Sequence, residues 1–335
     1  MQLWEKLVQL PDHLLAMVDP IEINLACAEG LPGAEGISRP ELCGIVDNWA
    51  ERVARETARH RICFERDPGN YENSFAYFRM LLLITVLQRD IGVRYNPALI
   101  DCTDWPDHDS RVYFVHGVLE GSGACCANLP PVFAAVGRRL GYPLRLITTK
   151  GHMFIRWDDP GGERFNIECT SRGLAIHPDE YYLSWPRKVS PEEKTLCCHL
   201  KSKSPREELA EWMAGRGECF RHNGKMREAA EAFLWAHELE PENRCARCSF
   251  SRAMLTWRDN LAAICPQPFS ALRITFPPRR FRQVPKEAEQ DLYYLRAKED
   301  LLHDKELEWR FWSPMRQGTK PEDLPKQIAV GFRPT

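Results

Sequence analysis

Apolar residues recur along the first part of this chain at helical spacing, in blocks closed by Pro and Gly. Leu3, Leu7, Leu10 and Leu14 predict a helical entry over 3–18 that Pro20 closes, and a second helix is expected over 22–28. After a turn-rich stretch over 30–39, Leu42, Ile45, Val46, Trp49 and Val53 mark the inward face of an amphipathic helix over 40–60. The run FAYFRMLLLITVLQR over 75–89 is apolar on nearly every face, which predicts a helix packed on both sides.

Past the middle of the chain the period changes. Leu129, Val132, Phe133, Val136 and Leu140 predict a helix from about Asn128 to Leu140, stopped by Gly141 and Pro143. Three short strands then follow, over 144–149, 153–157 and 165–169, with a Lys-Gly break before the second and the turn DDPGG before the third. A hairpin centred on Pro160 would make His152 and Glu168 direct cross-strand partners, with both side chains on one sheet face.

From Glu207 the pattern changes again. Gly217, Phe220, Gly224, Ala229, Phe233, Ala236 and Pro241 fall at the spacings of one tetratricopeptide unit, which the segment resembles. Small residues in such a pair let two antiparallel helices approach while Phe220 and Phe233 fill the space between them. One unit leaves apolar faces open, and Leu209, Trp212, Met213, Phe233 and Leu234 therefore need partners elsewhere, with flanking helices expected over 205–216 and 252–264. Residues 266–285 are Pro- and Arg-rich and read as an extended connection, followed by a charged helix from Pro285 to about Trp309 and an apolar IAVGF. The expected organisation is an N-terminal helical part over 1–110, a core over 111–204, a helical repeat region over 205–265 and an extension over 266–335.

Composition narrows the function classes. At 335 residues, 44% hydrophobic and 27% charged, the chain is an ordinary globular protein, and its net charge of −2 argues against a general affinity for nucleic acid or acidic membrane. The N-terminus lacks a basic segment followed by an apolar one, and the longest apolar run is far short of the ~20 residues that span a bilayer, so a cytoplasmic protein is expected. Thirteen cysteines are an odd number, and in that compartment thiols stay reduced, so no disulfide is expected. Cys245-Ala-Arg-Cys248 is a lone C-x-x-C with Cys197-Cys198-His199 upstream, a pattern without the second pair that zinc sites usually need; no metal and no cofactor are expected.

The candidate chemistry lies between Gly121 and Thr170. Cys125 and Cys126 stand at the N-terminal end of the predicted helix, where backbone N–H groups and the helix dipole favour a thiolate. His152 and Glu168 follow on adjacent strands, so nucleophile, base and orienting acid occur in an order that acyl transfer can use. His116, on a segment expected to be a loop, is read as solvated or locally hydrogen-bonded, with a place in the cleft as the alternative.

This constellation resembles the transglutaminase-like superfamily, a branch of the papain-type cysteine hydrolases. Arg138-Arg139-Leu140-Gly141-Tyr142-Pro143 matches an element that stands fifteen residues after the family's Cys, which selects Cys126 over Cys125; His152 in KGHMF and Glu168 in FNIECT match the His and the acid. The chain departs from the pattern at Ala124, where many relatives have Gly, at Glu168, where Asp is usual, and at Pro131, which follows Pro130 and moves the helix start past Cys126. The resemblance implies an α+β fold with a papain/transglutaminase-like core, the Cys-bearing helix packed on a small antiparallel sheet, and a bacterial subgroup with a C-terminal tetratricopeptide repeat. It implies a cysteine-dependent amide hydrolase or acyltransferase working on a peptide or protein through a thioester. The rival expectation is a catalytically silent fold that binds peptides as an adaptor through the repeat.

Overall fold

The structure is a computed structural model and describes residues 2–264 other than 100, 101, 103, 104 and 123. The expectations for 266–335, namely the extended connection, the charged helix from Pro285 and the apolar end, lie outside the described residues.

Pro11 divides the helical entry in two. Helix α1 (Leu3–Leu7) ends before it, and α2 (Asp12–Leu15) starts from it as N-cap, because Pro has no N–H to continue the first helix. The break shifts the inward phase by one residue, so that Leu15 is buried and the expected Leu14 is exposed. Helix α3 (Pro20–Ala28) is capped by Asp19, whose carboxylate accepts from the Ile21 N–H at 2.8 Å, and is buried on almost every side. Helix α4 (Arg39–Arg66) is one-sided, with Leu42, Val46, Ala50 and Val53 inward, and outruns the expected end at His60. Helix α5 (Phe75–Thr85) starts at the Ser74 cap and passes into a π-helical segment, Val86–Ile91, that ends at Gly92 with φ +92°. His116 opens a short helix, α6 (His116–Leu119).

The centre of the molecule is α7 (Leu129–Arg139), in contact with α3, α4, α5 and the sheet. Pro130 and Pro131 sit in its first turn, where N–H groups have no intrahelical acceptor. Gly137 allows the sheet to approach: a Cβ there would stand 2.3 Å from a Leu144 methyl and 3.2 Å from Leu83. The sheet is an antiparallel meander in chain order, β1 (Leu144–Thr149), β2 (His152–Asp158), β3 (Arg164–Glu168) and β4 (Ala175–His177), one strand more than the pattern predicts. At three residues with little alternation, β4 is too short to register as a strand in the sequence. Residues 200–203 cover the free edge of β1, with the Leu200 and Lys203 N–H groups donating to Thr148 and Leu146 carbonyls at 3.0 Å.

The β2–β3 register differs from the expected one. Ile155 pairs with Ile167, Arg156 with Asn166 and Asp158 with Arg164, so the hairpin centres on Gly161 and not on Pro160. The slip is two residues along the partner strand, one full side-chain period, and the faces are therefore unchanged. His152 and Glu168 are diagonal neighbours on one face, not direct partners.

After α8 (Asp179–Ser184) and α9 (Pro191–Leu196), the latter opened by a Ser190–Glu193 capping box, three longer helices complete the described chain: α10 (Pro205–His222), α11 (Met226–Leu239) and α12 (Arg244–Ile264). Gly217 of α10 lies against the Phe233 ring of α11, which a Cβ would meet at 2.7 Å. Leu209, Trp212, Met213 and Phe233 are all buried, and α10 contacts α2 and α3, so the helical hairpin finds its apolar partners in the N-terminal helices and in α12.

The expectation of reduced thiols is corrected at one place. Cys197 and Cys245 form a disulfide that joins the end of α9 to the start of α12. Composition and compartment carry no information on proximity, and these two cysteines are 48 residues apart in the chain. Among the described residues no helix is long and apolar enough to cross a membrane. The fold is thus α-helices with one small four-stranded antiparallel sheet.

Candidate functional site

The turn before α7 is built by two residues on either side of Cys126. Asn128 Oδ1 accepts from the Cys125 N–H at 2.7 Å, Asn128 Nδ2 donates to the Arg111 carbonyl at 2.6 Å, and the Leu129 N–H donates to the Cys125 carbonyl at 3.0 Å. Cys125 is 1% exposed, packs with Leu99 and Val112, and its Sγ donates to the Val112 carbonyl at 3.0 Å. It faces inward as a small apolar residue. Cys126 is half-buried and looks out of the turn toward the start of β2, just ahead of the helix N-terminus.

There it meets His152. The imidazole stands beside the Cys126 thiol on the cavity wall, where it favours the charged form of the sulfur, and its Nε2 lies 2.8 Å from Glu168 Oε2. Glu168 is buried and held in turn: its Oε1 accepts from the Thr170 N–H and Oγ1 at 2.8 and 2.5 Å, and the Tyr182 hydroxyl donates to Oε2 at 3.3 Å. Trp185 stands edge-on to the imidazole at 4.7 Å between ring centroids. Cys126, His152 and Glu168 are thus brought into one line.

Electrostatics follow from this line. Burial pulls His152 down, but hydrogen bonds to Cys126 and Glu168 and the carboxylate charge outweigh it and raise the imidazole to about 9. Burial pushes Glu168 up, and the His152 bond and charge, with Thr170, hold it below the ordinary carboxylate range. The two thiols share a hydrogen bond that lets one ionise at the expense of the other; it lowers Cys125 and, with burial behind it, raises Cys126 well above the usual thiol range, while His152 pulls Cys126 down. The other contacts of Cys125 pull both ways: its Sγ donates to the Val112 carbonyl, which a thiolate cannot do, and accepts from the Ala127 N–H at 3.4 Å, which favours one. One negative charge belongs to the pair as a whole, and Cys126 is the sulfur that faces the imidazolium.

Cys126 and His152 line a cavity of about 380 Å³. Its opposite wall comes from the helical hairpin and α12, through Ala210, Ala214, Ala236 and Ala246, so core and hairpin enclose the cavity together. A second cleft, of about 470 Å³, borders Ala124 and Tyr95 and contains neither Cys126 nor His152.

His116 is outside the line. It is fully buried, its Nε2 lies 3.1 Å from Ser110 Oγ, and burial lowers it to about 4, which keeps it neutral. Two sulfurs of the Cys197/Cys245 region, weighed as metal ligands, are bonded to each other, and no cluster of three or more ligating residues occurs among the described residues.

Four contributors escaped sequence reasoning. Asn128 had a signal, an Asn directly ahead of Leu-Pro-Pro at a helix start, where its side chain commonly bonds a nearby backbone N–H. Tyr182, Trp185 and the hairpin wall had none, because each depends on how distant segments fold over the sheet. No family model, no curated protein and no solved structure matches the chain.

Proposed function

We propose that this chain is a cysteine-dependent acyl-transfer enzyme with a transglutaminase-like, papain-type core, acting on an amide in a peptide or protein. The observation that carries the reading is the line from Cys126 through His152 to Glu168 on the wall of an open cavity. Cys126 attacks the acyl carbonyl as the thiolate, with its proton on His152. The tetrahedral intermediate collapses with loss of the amine, which takes its proton from His152, and leaves a thioester on Cys126. Water or a second amine, deprotonated by the same imidazole, then releases the acyl group. Glu168 keeps the imidazole in one orientation and stabilises its charged form.

The test is alkylation of the native protein with sub-stoichiometric iodoacetamide near neutral pH, followed by peptide mapping. An activated thiol reacts ahead of the others. Label concentrated on Cys126, and lost from it in His152→Ala, is the expected result; label spread over the exposed cysteines, with Cys126 no faster than Cys63, counts against the assignment.

A further inference from the structure

The charges around the cavity are almost all answered within the protein. Lys150 is held by Glu193 at 2.5 Å, Glu218 by Arg221 at 2.6 Å, and His152 by Glu168 at 2.8 Å. Lys203 stands between Glu211 and Glu240 at 2.8 and 3.2 Å, and burial, with Glu211 beside it, pushes Glu240 upward against the pull of that lysine. Arg187 is different. It lies on the same cavity, it is exposed, and among the described residues no carboxylate or other acceptor pairs with it. Its place is close to the chemistry: the Arg187 Cδ, Nε and Cζ atoms rest about 3.6–3.7 Å from where a Cβ would stand on Gly151, the residue directly before His152. Gly151 has φ +76° in the β1–β2 turn, a conformation that favours glycine, and the Arg187 side chain lies across that turn.

An unanswered cation at the mouth of a site whose other charges are paired selects for an anion from outside. A guanidinium takes a carboxylate through two parallel N–H···O bonds, which fixes orientation as well as charge. From this we infer that Arg187 is a specificity-determining residue that binds a carboxylate on the acyl substrate, the natural substrate being an acidic one. The inference rests on the acyl-transfer reading above and names the substrate class for that site.

The test compares two activated esters of equal chain length, mono-4-nitrophenyl adipate and 4-nitrophenyl hexanoate, on the full-length protein. In each case Cys126 displaces 4-nitrophenolate and water then hydrolyses the thioester. The wild type is expected to favour the adipate in kcat/KM by about tenfold or more, the effect of one charge-assisted contact. Arg187→Ala should lose that preference with hexanoate turnover unchanged, Arg187→Glu should reverse it, and added salt should weaken the charge discrimination of the wild type and of Arg187→Glu and leave Arg187→Ala unmoved. N-acetylglutamic acid amide and N-acetylalanine as competitors separate a side-chain carboxylate from a chain terminus, and competition by neither would overturn the inference. So would an adipate preference that survives in Arg187→Ala. The ratio of iodoacetate to iodoacetamide alkylation at Cys126 gives a readout independent of turnover, and it should fall in Arg187→Ala while melting temperature stays at the wild-type value. Cys126-dependent turnover without charge preference sinks this inference alone; absence of any Cys126 reactivity sinks the acyl-transfer reading and this one with it.

Discussion

His152 and Glu168 stand diagonally across the β2–β3 ladder on one face of the sheet, with Nε2 and Oε2 2.8 Å apart. The diagonal places the carboxylate beside the imidazole and not beneath it, which leaves the other ring nitrogen free to face Cys126. Their charges support each other, and the sign of the pH dependence follows. His152 is raised to about 9, so its contribution to stability is fully present below its unfolded value near 6.5 and is lost as pH rises through about 9. Thermal melts from pH 6 to 10 should show this loss, and Glu168→Gln should flatten it while lowering stability by about 1–3 kcal/mol, the cost of a buried partner removed. Glu168 is lowered, so its own contribution is present above about pH 4.5 and disappears only as pH falls through its folded value.

Cys125 competes with Cys126 for one negative charge. Cys125→Ala removes the competitor, and the pH profile for alkylation of Cys126 should shift to lower pH in that variant while activity is retained. Cys126→Ala and His152→Ala should each lose acyl transfer by 10³-fold or more; Cys126→Ala should melt within a few degrees of wild type, and His152→Ala, which leaves the buried Glu168 without its partner, should melt lower. A profile unmoved by Cys125→Ala would show that the two thiols titrate independently.

Gly217 faces a ring with no space to spare. Gly217→Ala would place a methyl 2.7–2.9 Å from Phe233 atoms and should cost about 1–3 kcal/mol in urea denaturation, by overpacking. Gly224→Ala adds no clash but forces a side chain at φ +74°, and the expected cost is about 1 kcal/mol.

The Cys197–Cys245 bond closes a loop with a sequence separation of 48 residues, and in the chain-entropy account that is worth about 4 kcal/mol. Dithiothreitol should therefore lower the melting temperature of the wild type and leave that of Cys197→Ser unchanged. An unshifted wild type would mean that the folded contacts alone hold α12 in place.

Truncation after Leu200 removes residues 201–203, with the Lys203 bond to the β1 edge, and the helix that buries against α3. The 1–200 fragment should aggregate or melt well below the full chain, since it exposes both an open strand edge and an apolar face. A monomeric fragment as stable as the full chain, by scattering and calorimetry, would show the hairpin to be independent of the core.

Much of the helical frame was legible because periodicity reports burial directly, as in α4 and α7, where Leu42, Val46, Val132 and Val136 face the core. Element ends were less so: Pro11 split the entry, and α5 ran into a π-helical turn that no spacing rule marks. The relation of His152 to Glu168 survived a wrong turn centre because the error was one whole side-chain period; a slip of one residue would have put them on opposite faces. The disulfide, Tyr182 against Glu168, and Arg187 over Gly151 were illegible for one reason. Each joins residues that only the folded path of the chain brings together.

The turn that carries Cys126 is tied down through its neighbours. Asn128 and Cys125 make its hydrogen bonds to Arg111, Val112 and each other, while the contacts of Cys126 are with the Cys125 and His152 side chains. Position 126 is therefore a mount whose shape does not depend on what it holds. A serine or a selenocysteine there meets the same imidazole from the same backbone, so the reactivity of this site can be retuned by one atom without refolding anything around it.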